Sequence, residues 1–103
     1  MPIVVQYTTN VGVDAYDEVV PNIQFHDDLP DGLIVHTAAI TDEGRMRIFD
    51  VWRTRDAYEQ FDEHRLRPAL AELLGQEYAH HGFDLEVHEL HSLVSPVAPA
   101  HLG

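Results

Sequence analysis

A chain of 103 residues, 45% of them hydrophobic, has the size and composition of a single globular domain. Its 18 acidic residues outnumber six basic residues, all arginines, and the net charge of −12 disfavours nucleic acid and anionic membranes as partners, because phosphate contacts need clustered Lys and Arg. The absence of cysteine and lysine excludes disulfides, thiolate catalysis and Schiff-base chemistry, whereas eight histidines leave proton transfer, oriented water or oxygen, and metal binding as options.

The N-terminal third predicts a strand followed by a helix. Residues 3–8 are a short β-branched run, which is typical of a first strand. Apolar side chains then recur at helical spacing, and we predict a helix over 12–20 whose end is perturbed by Pro21, followed by a loop over 25–31. The chain start has no basic residue before its apolar run, and no run approaches the roughly 20 residues of a membrane span. We therefore expect no signal peptide and a cytoplasmic protein.

Residues 33–53 predict a β-hairpin with strands over 33–40 and 45–53. The link T-D-E-G fits a three-residue loop with Gly44 in the left-handed conformation, and this loop sets the register. The register places four pairs on one side of the hairpin: Ile34 with Trp52, His36 with Asp50, Ala38 with Ile48, and Ile40 with Met46. A two-residue loop would put His36 opposite Phe49. We prefer the first register because it pairs a buried imidazole with a buried carboxylate.

The remaining chain predicts two helices and a last strand. Thr54 is a suitable N-cap for a helix over 55–65. Pro68 disfavours helix at the preceding residue, so we predict a separate helix over 68–80 that ends at Gly82. Residues 83–94 alternate as a strand with a bulge near Leu90, and the Pro- and Ala-rich residues 96–103 are predicted to be an extended tail outside the domain, which spans 1–95.

The element order β-α-β-β-α-β predicts an α+β, ferredoxin-like fold with a four-stranded antiparallel sheet and the helices on one face. Val35 and Val51 lie on the other face of the hairpin, which a monomer would expose. We therefore expect a homodimer in which two sheets pack face to face, with the C-terminal segment reaching across.

One stretch of the chain carries a family resemblance. It is G-L-I-V-H-T-A-A…G-R-M-R-I-F-D-V-W-R-T-R-D-A-Y-E-Q-F, within residues 32–61. It resembles small bacterial proteins of the dimeric α/β-barrel superfamily, which includes antibiotic-biosynthesis monooxygenase-like proteins. By element order the likeness covers residues 3–95. It implies a dimeric α/β barrel, but the superfamily holds oxygenases, isomerases, cyclases and heme proteins, so fold alone does not choose an activity.

Two activities of these relatives can be compared with the residues. Cofactor-free monooxygenases of the group place a tryptophan, an asparagine and often an arginine around an aromatic substrate. Trp52 looks similar to that tryptophan, whereas Asn10 and Asn22, the only asparagines, do not clearly match the pattern. Heme-degrading relatives ligate iron with a histidine on the helix after the third strand. Residues 65–74 contain none and His64 comes earlier, which disfavours heme.

His36 and Asp50 are the candidate catalytic residues. As a dyad, Asp50 accepts a hydrogen bond from one ring nitrogen and fixes the tautomer, so that the other nitrogen abstracts or delivers a proton. The alternative is a buried polar clasp that ties two strands together. Both interpretations depend on the predicted register.

The candidate substrate-binding residues are mostly aromatic: Trp52, Tyr58 and Phe61 as walls, Tyr16 closing the pocket from the first helix, and His64 at its mouth. Such a mostly apolar pocket suits an aromatic or polyketide-like ligand. The alternatives are an ordinary aromatic core and a solvent-exposed histidine. His88 and His91 are three apart on a strand and so face opposite sides, which disfavours a metal site. We expect no metal and no other cofactor.

The sequence thus predicts a small-molecule enzyme that performs cofactor-independent oxygenation or proton-transfer chemistry on an aromatic or polyketide-like substrate, with His36 as the base and Asp50 as its orienting partner. The alternative is a non-catalytic protein of the same fold that binds a hydrophobic ligand, or a heme-binding relative. A third possibility is that the dimer serves only as a scaffold.

Overall fold

The architecture is one antiparallel sheet with helices packed on one face. The computed structural model describes residues 1–9, 12–23, 28–75 and 85–94. Its regular elements are β1 Ile3–Thr8, α1 Val13–Ile23, β2 Leu33–Ile40, β3 Met46–Trp52, α2 Arg55–Phe61, α3 Arg67–Leu74 and β4 Glu86–Glu89. The strands are ordered β2-β3-β1-β4 with antiparallel neighbours. This confirms the predicted α+β, ferredoxin-like fold. Within the described ranges, no helix has the length and apolar character needed to cross a membrane.

The hydrophobic core lies between the sheet and the helices. Its buried members come from β1, β3 and all three helices: Ile3, Val5, Val19, Ile23, Trp52, Tyr58, Phe61, Leu66, Ala69 and Leu70. Asp50 projects from the same face of β3 and is only 2% exposed. Burying a carboxylate beside an apolar core is costly unless it is hydrogen-bonded. Asp50 therefore requires partners within the fold.

The hairpin adopts the predicted register except at its first pair. His36 is opposite Asp50, Ala38 opposite Ile48 and Ile40 opposite Met46. The turn forms as predicted, with Gly44 at φ +80. The prediction that Ile34 faces Trp52 is wrong, because a bulge between Leu33 and Val35 places Leu33 opposite Trp52 instead. Leu33 there packs against the core, which favours the shift.

Gly32, just before this bulge, is held in a conformation and a space that suit only glycine. Its φ is +86, and an added Cβ would lie 2.5 Å from the Cβ of Ala57 at the start of α2. We expect Gly32→Ala to lower the free energy of unfolding by about 2–4 kcal/mol, the sum of left-handed strain and overpacking. Gly44→Ala is the matched control, since Gly44 has φ +80 but nothing within 4 Å. It should lose only the backbone contribution, about 1 kcal/mol. Equal losses in urea denaturation would contradict the packing argument.

Helix α1 continues past the predicted end at residue 20 and contains Pro21. A proline within a helix cannot donate to the carbonyl four residues earlier, here that of Asp17. Both Pro21 and Asp17 are exposed, so water can satisfy that carbonyl. The buried side chains of Val19 and Ile23 keep the helix docked on either side of the interruption.

The second helical region does not show the break that was predicted before Pro68. Arg67 is helical at φ −62 and ψ −43, and a π-helical turn at Asp62–Leu66 joins α2 to α3. A wider turn accommodates a proline ring that would collide with the carbonyl one turn earlier. It also aligns residues five apart, and Arg67 Nε donates to Asp62 Oδ2 at 2.8 Å.

The C-terminal elements are shorter than predicted. Helix α3 ends at Leu74, where Gly75 has φ +99 and its N–H bonds to the carbonyl of Ala71. Strand β4 covers only Glu86–Glu89, and the predicted bulge near Leu90 falls after its end. Residues 76–84, with the predicted helix end at Gly82, and the tail over 96–103 lie outside the described residues.

The sheet face opposite the helices is less bare than predicted. Val35 is half-buried, but Val51 is buried within the single chain, flanked by its register partners Val4 and Val35. Phe49 on the same face is 38% exposed. An apolar surface therefore remains at Phe49, whereas the expectation that a monomer exposes Val51 is wrong.

Candidate active site

The hairpin brings His36 and Asp50 into direct contact. His36 lies in the middle of β2, Asp50 lies opposite it on β3, and His36 Nδ1 is 2.6 Å from Asp50 Oδ1. Their side chains are 17% and 3% exposed, respectively. The bond joins an almost fully buried carboxylate to an imidazole that retains some access to the surface. The pair predicted from the turn is thus present, and its catalytic role remains a prediction.

Trp52 donates to the second oxygen of the carboxylate. Its indole Nε1–H is 3.4 Å from Asp50 Oδ2. An indole N–H can only donate, and an ionised carboxylate can only accept. Asp50 therefore accepts from Trp52 at one oxygen and from His36 at the other. This assigns the proton of the neutral ring of His36 to Nδ1 and leaves the lone pair on Nε2.

Tyr16 of α1 occupies that second ring nitrogen. Its hydroxyl is 2.7 Å from His36 Nε2, and the two rings are nearly parallel, with an interplanar angle of 7° and centroids 6.2 Å apart. Because Nε2 carries the lone pair, the Tyr16 hydroxyl donates. Three side chains from α1, β2 and β3 thus form one hydrogen-bonded series, Tyr16 to His36 to Asp50.

The contact between Tyr16 and His36 was not predicted from the sequence, although Tyr16 was placed at the pocket. A signal for its orientation exists. Tyr16, Val19, Val20 and Ile23 follow the i, i+3, i+4, i+7 pattern of one helix face, and this face turns to the core. The pattern does not specify which strand residue the tyrosine meets.

Burial and negative charge keep the tyrosines of this region protonated. Burial, followed by the charges of Asp50 and Asp17, raises the pKa of Tyr16 to about 12. Burial is also the first cause that raises the pKa of Tyr7, with Asp50 next, and that of Tyr58, with Asp62 and then Asp50. These hydroxyls therefore stay protonated well above neutral pH.

Stability is expected to fall as the pH rises above about 10. The unfolded tyrosines lose protons near their ordinary pKa of about 10, whereas folded Tyr16 holds its proton to about 12. The contribution is therefore complete below pH 10 and is lost as the pH rises through the folded pKa. Urea denaturation from about pH 8 to about pH 11 measures the loss of stability. The tyrosinate absorbance of the folded protein measures the pKa of its tyrosines. Titration of all tyrosines of the folded protein near their ordinary pKa would contradict it.

The other predicted aromatic residues form a packed cluster beside Asp50. Trp52, Tyr58 and Phe61 are buried, with the Trp52 ring centroid 5.8 Å from Tyr58, edge-on, and 5.1 Å from Phe61. Trp52 links this cluster to Asp50 through its indole N–H. The hydroxyl of Tyr58 is buried and has no hydrogen-bond partner among the described residues. A small polar group bound beside it would satisfy this hydroxyl.

The structure does not bring His64 to this cluster. It lies exposed on the π-helical turn between α2 and α3. In the part of the chain that the structure describes, no group of three or more His, Cys, Asp or Glu side chains could hold a metal ion. His36, by contrast, lies in a polar network with Tyr16 and Asp50.

The surface side of the network is open along β2. Ala38 and Ile40 lie on the same face of the sheet as His36, because their opposite residues Ile48 and Met46 share a face with Asp50. Both are nevertheless exposed, Ile40 by 63%. The helices leave this end of β2 uncovered. We call Ala38 and Ile40 the apolar shelf.

Solved structures share this fold along nearly the whole chain. Rv0793 from Mycobacterium tuberculosis is 16% identical with a TM-score of 0.64, covering 94% of this chain and 100% of that one. A monooxygenase from the gene ActVA-Orf6 of Streptomyces coelicolor, in complex with nanaomycin D, is 16% identical with a TM-score of 0.58, covering 93% and 92%. SnoaB, a cofactor-independent oxygenase from Streptomyces nogalater, is 16% identical with a TM-score of 0.50, covering 90% and 94%.

These matches confirm the resemblance at the level of fold. The chain shares the fold of these structures. No protein-family model and no curated protein matches the sequence. At this identity the likeness shows the fold, and the chemistry has to be argued from the residues of this chain.

Proposed function

We propose that this protein is a small-molecule enzyme in which His36 serves as the base for cofactor-independent oxygenation or proton transfer on an aromatic or polyketide-like substrate. The observation that carries the proposal is the 2.6 Å bond from His36 Nδ1 to the buried carboxylate of Asp50. That bond fixes the ring and leaves a lone pair on Nε2. An oriented imidazole backed by a carboxylate is a suitable general base near neutral pH.

The fold neighbours support the substrate class. One is a monooxygenase in complex with nanaomycin D, and another is a cofactor-independent oxygenase. The apolar shelf next to His36 suits a flat hydrophobic molecule. We therefore propose a substrate with a fused aromatic or polyketide skeleton and an acidic C–H or O–H group, and no resident cofactor.

The proposed reaction balances with dioxygen as the sole co-reactant. His36 takes a proton from an activated methylene, and the electron pair stays on the substrate as a delocalised anion. The anion is oxidised by dioxygen to a hydroperoxide, which regains the proton. Loss of water then converts the methylene carbon to a carbonyl carbon. Without dioxygen, return of the proton to another carbon gives an isomerisation.

Anthrone is a direct probe because it is a flat tricycle with one acidic methylene. We expect the wild-type protein to accelerate exchange of the methylene protons for deuterium under anaerobic conditions, followed by NMR. In air we expect anthraquinone with one dioxygen consumed per molecule. Exchange without oxidation would assign proton-transfer chemistry alone. Absence of accelerated exchange would count against a catalytic function.

A second candidate function is non-catalytic binding of a hydrophobic ligand. It is favoured by the position of His36 on β2, which among the described strands pairs only with β3 and forms an edge of the sheet. There the bond to Asp50 also acts as a clasp that holds the edge strand to the sheet. Native mass spectrometry and an absorption spectrum of freshly purified protein test this candidate. A retained molecule that is released without chemical change supports binding, whereas a chemically changed molecule supports the enzyme.

We also propose that the protein acts as a homodimer. Phe49, 38% exposed, and half-buried Val35 supply an apolar patch on the sheet face opposite the helices. Pairing two such faces would cover the patch and give the dimeric barrel. Sedimentation equilibrium should give twice the chain mass of 11.7 kDa, and a monomer mass at micromolar concentration would contradict the proposal.

A further inference from the structure

We infer that Tyr16 is a catalytic residue: its hydroxyl meets the substrate and relays the substrate's proton to His36 Nε2. This inference rests on the proposed function and specifies which group of the network touches the reacting atoms. Its basis is the 2.7 Å contact between Tyr16 Oη and His36 Nε2. A neutral imidazole has one nitrogen lone pair. Tyr16 already engages that lone pair, so a substrate proton must either displace the tyrosine or pass through it.

The anchoring of α1 favours passage through the tyrosine. Val19 and Ile23, one and two turns further along the helix, are buried in the core. At the end of α1, Arg65 Nη1 donates to the carbonyl of Ile23 at 3.3 Å and to that of Asp28 at 2.6 Å. Displacing Tyr16 would cost its hydrogen bond to His36, and the docked helix would not move away to open the base. A relay requires no such loss.

The hydroxyl has the capacity for a relay. A tyrosine hydroxyl donates one hydrogen bond and accepts through its oxygen lone pairs, so Tyr16 can donate to His36 and accept from a substrate at the same time. Since burial and Asp50 raise the pKa of Tyr16 to about 12, a free phenolate is not the acceptor. The tyrosine takes a proton only as it gives one up.

The bonds that break and form in this transfer balance across the substrate, Tyr16 and His36. The substrate X–H bond breaks and leaves its electron pair on the substrate, while a new O–H bond forms at Tyr16. The former O–H bond of Tyr16 breaks and an N–H bond forms at His36 Nε2. The resulting imidazolium is paired with the Asp50 carboxylate through Nδ1–H. Return of the proton to the substrate anion, or to the hydroperoxide anion after reaction with dioxygen, follows the same path in reverse.

The apolar shelf next to His36 indicates where the substrate lies. Asp50 and Trp52 close the inner side of the network, whereas Tyr16 and His36 are only half-buried. The apolar shelf continues from His36 along β2 at Ala38 and Ile40, on the same face. A flat apolar molecule on this shelf would present its acidic group to the tyrosine hydroxyl.

The test compares Tyr16→Phe and His36→Gln in anaerobic deuterium exchange of anthrone. Tyr16→Phe keeps the ring and removes the hydroxyl. We expect its kcat to fall by about 100-fold or more with little change in KM, because the lost group acts in proton transfer. With anthrone that carries protium at its methylene, the Tyr16 hydroxyl proton is the solvent-derived proton that moves in the relay, so the wild-type rate of oxidation should fall in proportion to the deuterium fraction of the solvent. This solvent isotope effect should be absent from the residual activity of Tyr16→Phe, an effect that a merely structural role would not produce.

The outcomes separate this inference from the proposed function. Full activity of Tyr16→Phe beside an inactive His36→Gln overturns the relay and leaves His36 as the direct base. A rate increase in Tyr16→Phe also overturns it, because the tyrosine would then be a cover over the base. A wild-type protein that does not accelerate exchange overturns both proposals. Urea denaturation of Tyr16→Phe shows whether any loss of activity reflects loss of folding.

Discussion

Replacing His36 by Gln is expected to lower kcat for anthrone exchange by about 10²–10⁴-fold while the chain remains folded. The amide N–H of glutamine can still donate to Asp50, so the buried carboxylate keeps a donor. An amide nitrogen, however, has no basic lone pair to accept a proton. The substitution therefore removes the base and retains the hydrogen bond. Steady-state kinetics measures the activity, and circular dichroism with urea denaturation measures the fold.

His88→Gln is the matched control for this variant. His88 lies on β4 with a side chain that is 63% exposed, 3.9 Å from Glu86, and belongs to no part of the proposed site. It should leave kcat, KM and stability unchanged. If His36→Gln were as active as His88→Gln, His36 would not be the base, and its contact with Asp50 would be a structural clasp.

The central pair of the site was predictable because its cause is local. The residues T-D-E-G and the left-handed Gly44 set the loop, and the loop sets the register that places His36 opposite Asp50. The bulge at Ile34 was not predictable in the same way. It depends on Leu33 packing against the core, and on the close approach of Gly32 to Ala57 of α2. These contacts join segments that the sequence pattern treats separately.

The helical region shows tertiary packing prevailing over a local preference. Proline disfavours the helical conformation at the residue before it, yet Arg67, which precedes Pro68, is helical. Leu66, Ala69 and Leu70 on either side of Pro68 are all buried in the core. A break at Arg67 would withdraw part of this apolar surface, and the π-helical turn preserves it at the cost of one irregular turn. The sequence identifies these apolar side chains, but it does not show that helix continues through Arg67 to bury them together.

The position of Tyr16 in the site was also only partly predictable from the sequence. Helical periodicity indicates that Tyr16 turns to the core, but the distance between α1 and β2 is set by how the whole helical layer docks. Likewise, the sequence predicts Trp52, Tyr58 and Phe61 as walls of a pocket. Only the ring contacts show that Tyr58 and Phe61 both pack against Trp52.

Replacing Asp50 by Asn is expected to lower kcat by about 10³–10⁴-fold with a smaller loss of stability than Asp50→Ala. Asp50→Ala leaves the ring N–H of His36 and the indole N–H of Trp52 without their acceptor, and should cost about 3–5 kcal/mol of unfolding free energy. Asparagine keeps the shape and offers one acceptor and one donor. Its effect on activity depends on which way the amide points.

Trp52 decides that orientation. Its indole Nε1–H can only donate, so in Asp50→Asn the amide oxygen of the introduced asparagine has to face Trp52, and the amide NH₂ has to face His36 Nδ1. His36 must then accept at Nδ1 and carry its proton on Nε2, where the lone pair is needed. The variant is expected to contain an intact hydrogen-bonded network with the wrong tautomer. Nitrogen-15 NMR of His36 should show the proton moved from Nδ1 to Nε2.

Combining Asp50→Asn with Trp52→Phe is expected to give a kcat about tenfold higher than that of Asp50→Asn alone. A tenfold change corresponds to the free energy of about one hydrogen bond. Phenylalanine removes the indole donor, so the amide is free to rotate, present its oxygen to His36 Nδ1 and return the proton to that nitrogen. Trp52→Phe alone controls for the smaller ring in the core: it leaves the bond between His36 and Asp50 in place and should lower stability more than activity. If the double variant were no more active than Asp50→Asn, with Nε2 still protonated, Trp52 would have no part in setting the tautomer. Rescue accompanied by the shift of the proton back to Nδ1 would show that the buried indole determines which nitrogen of His36 carries the proton.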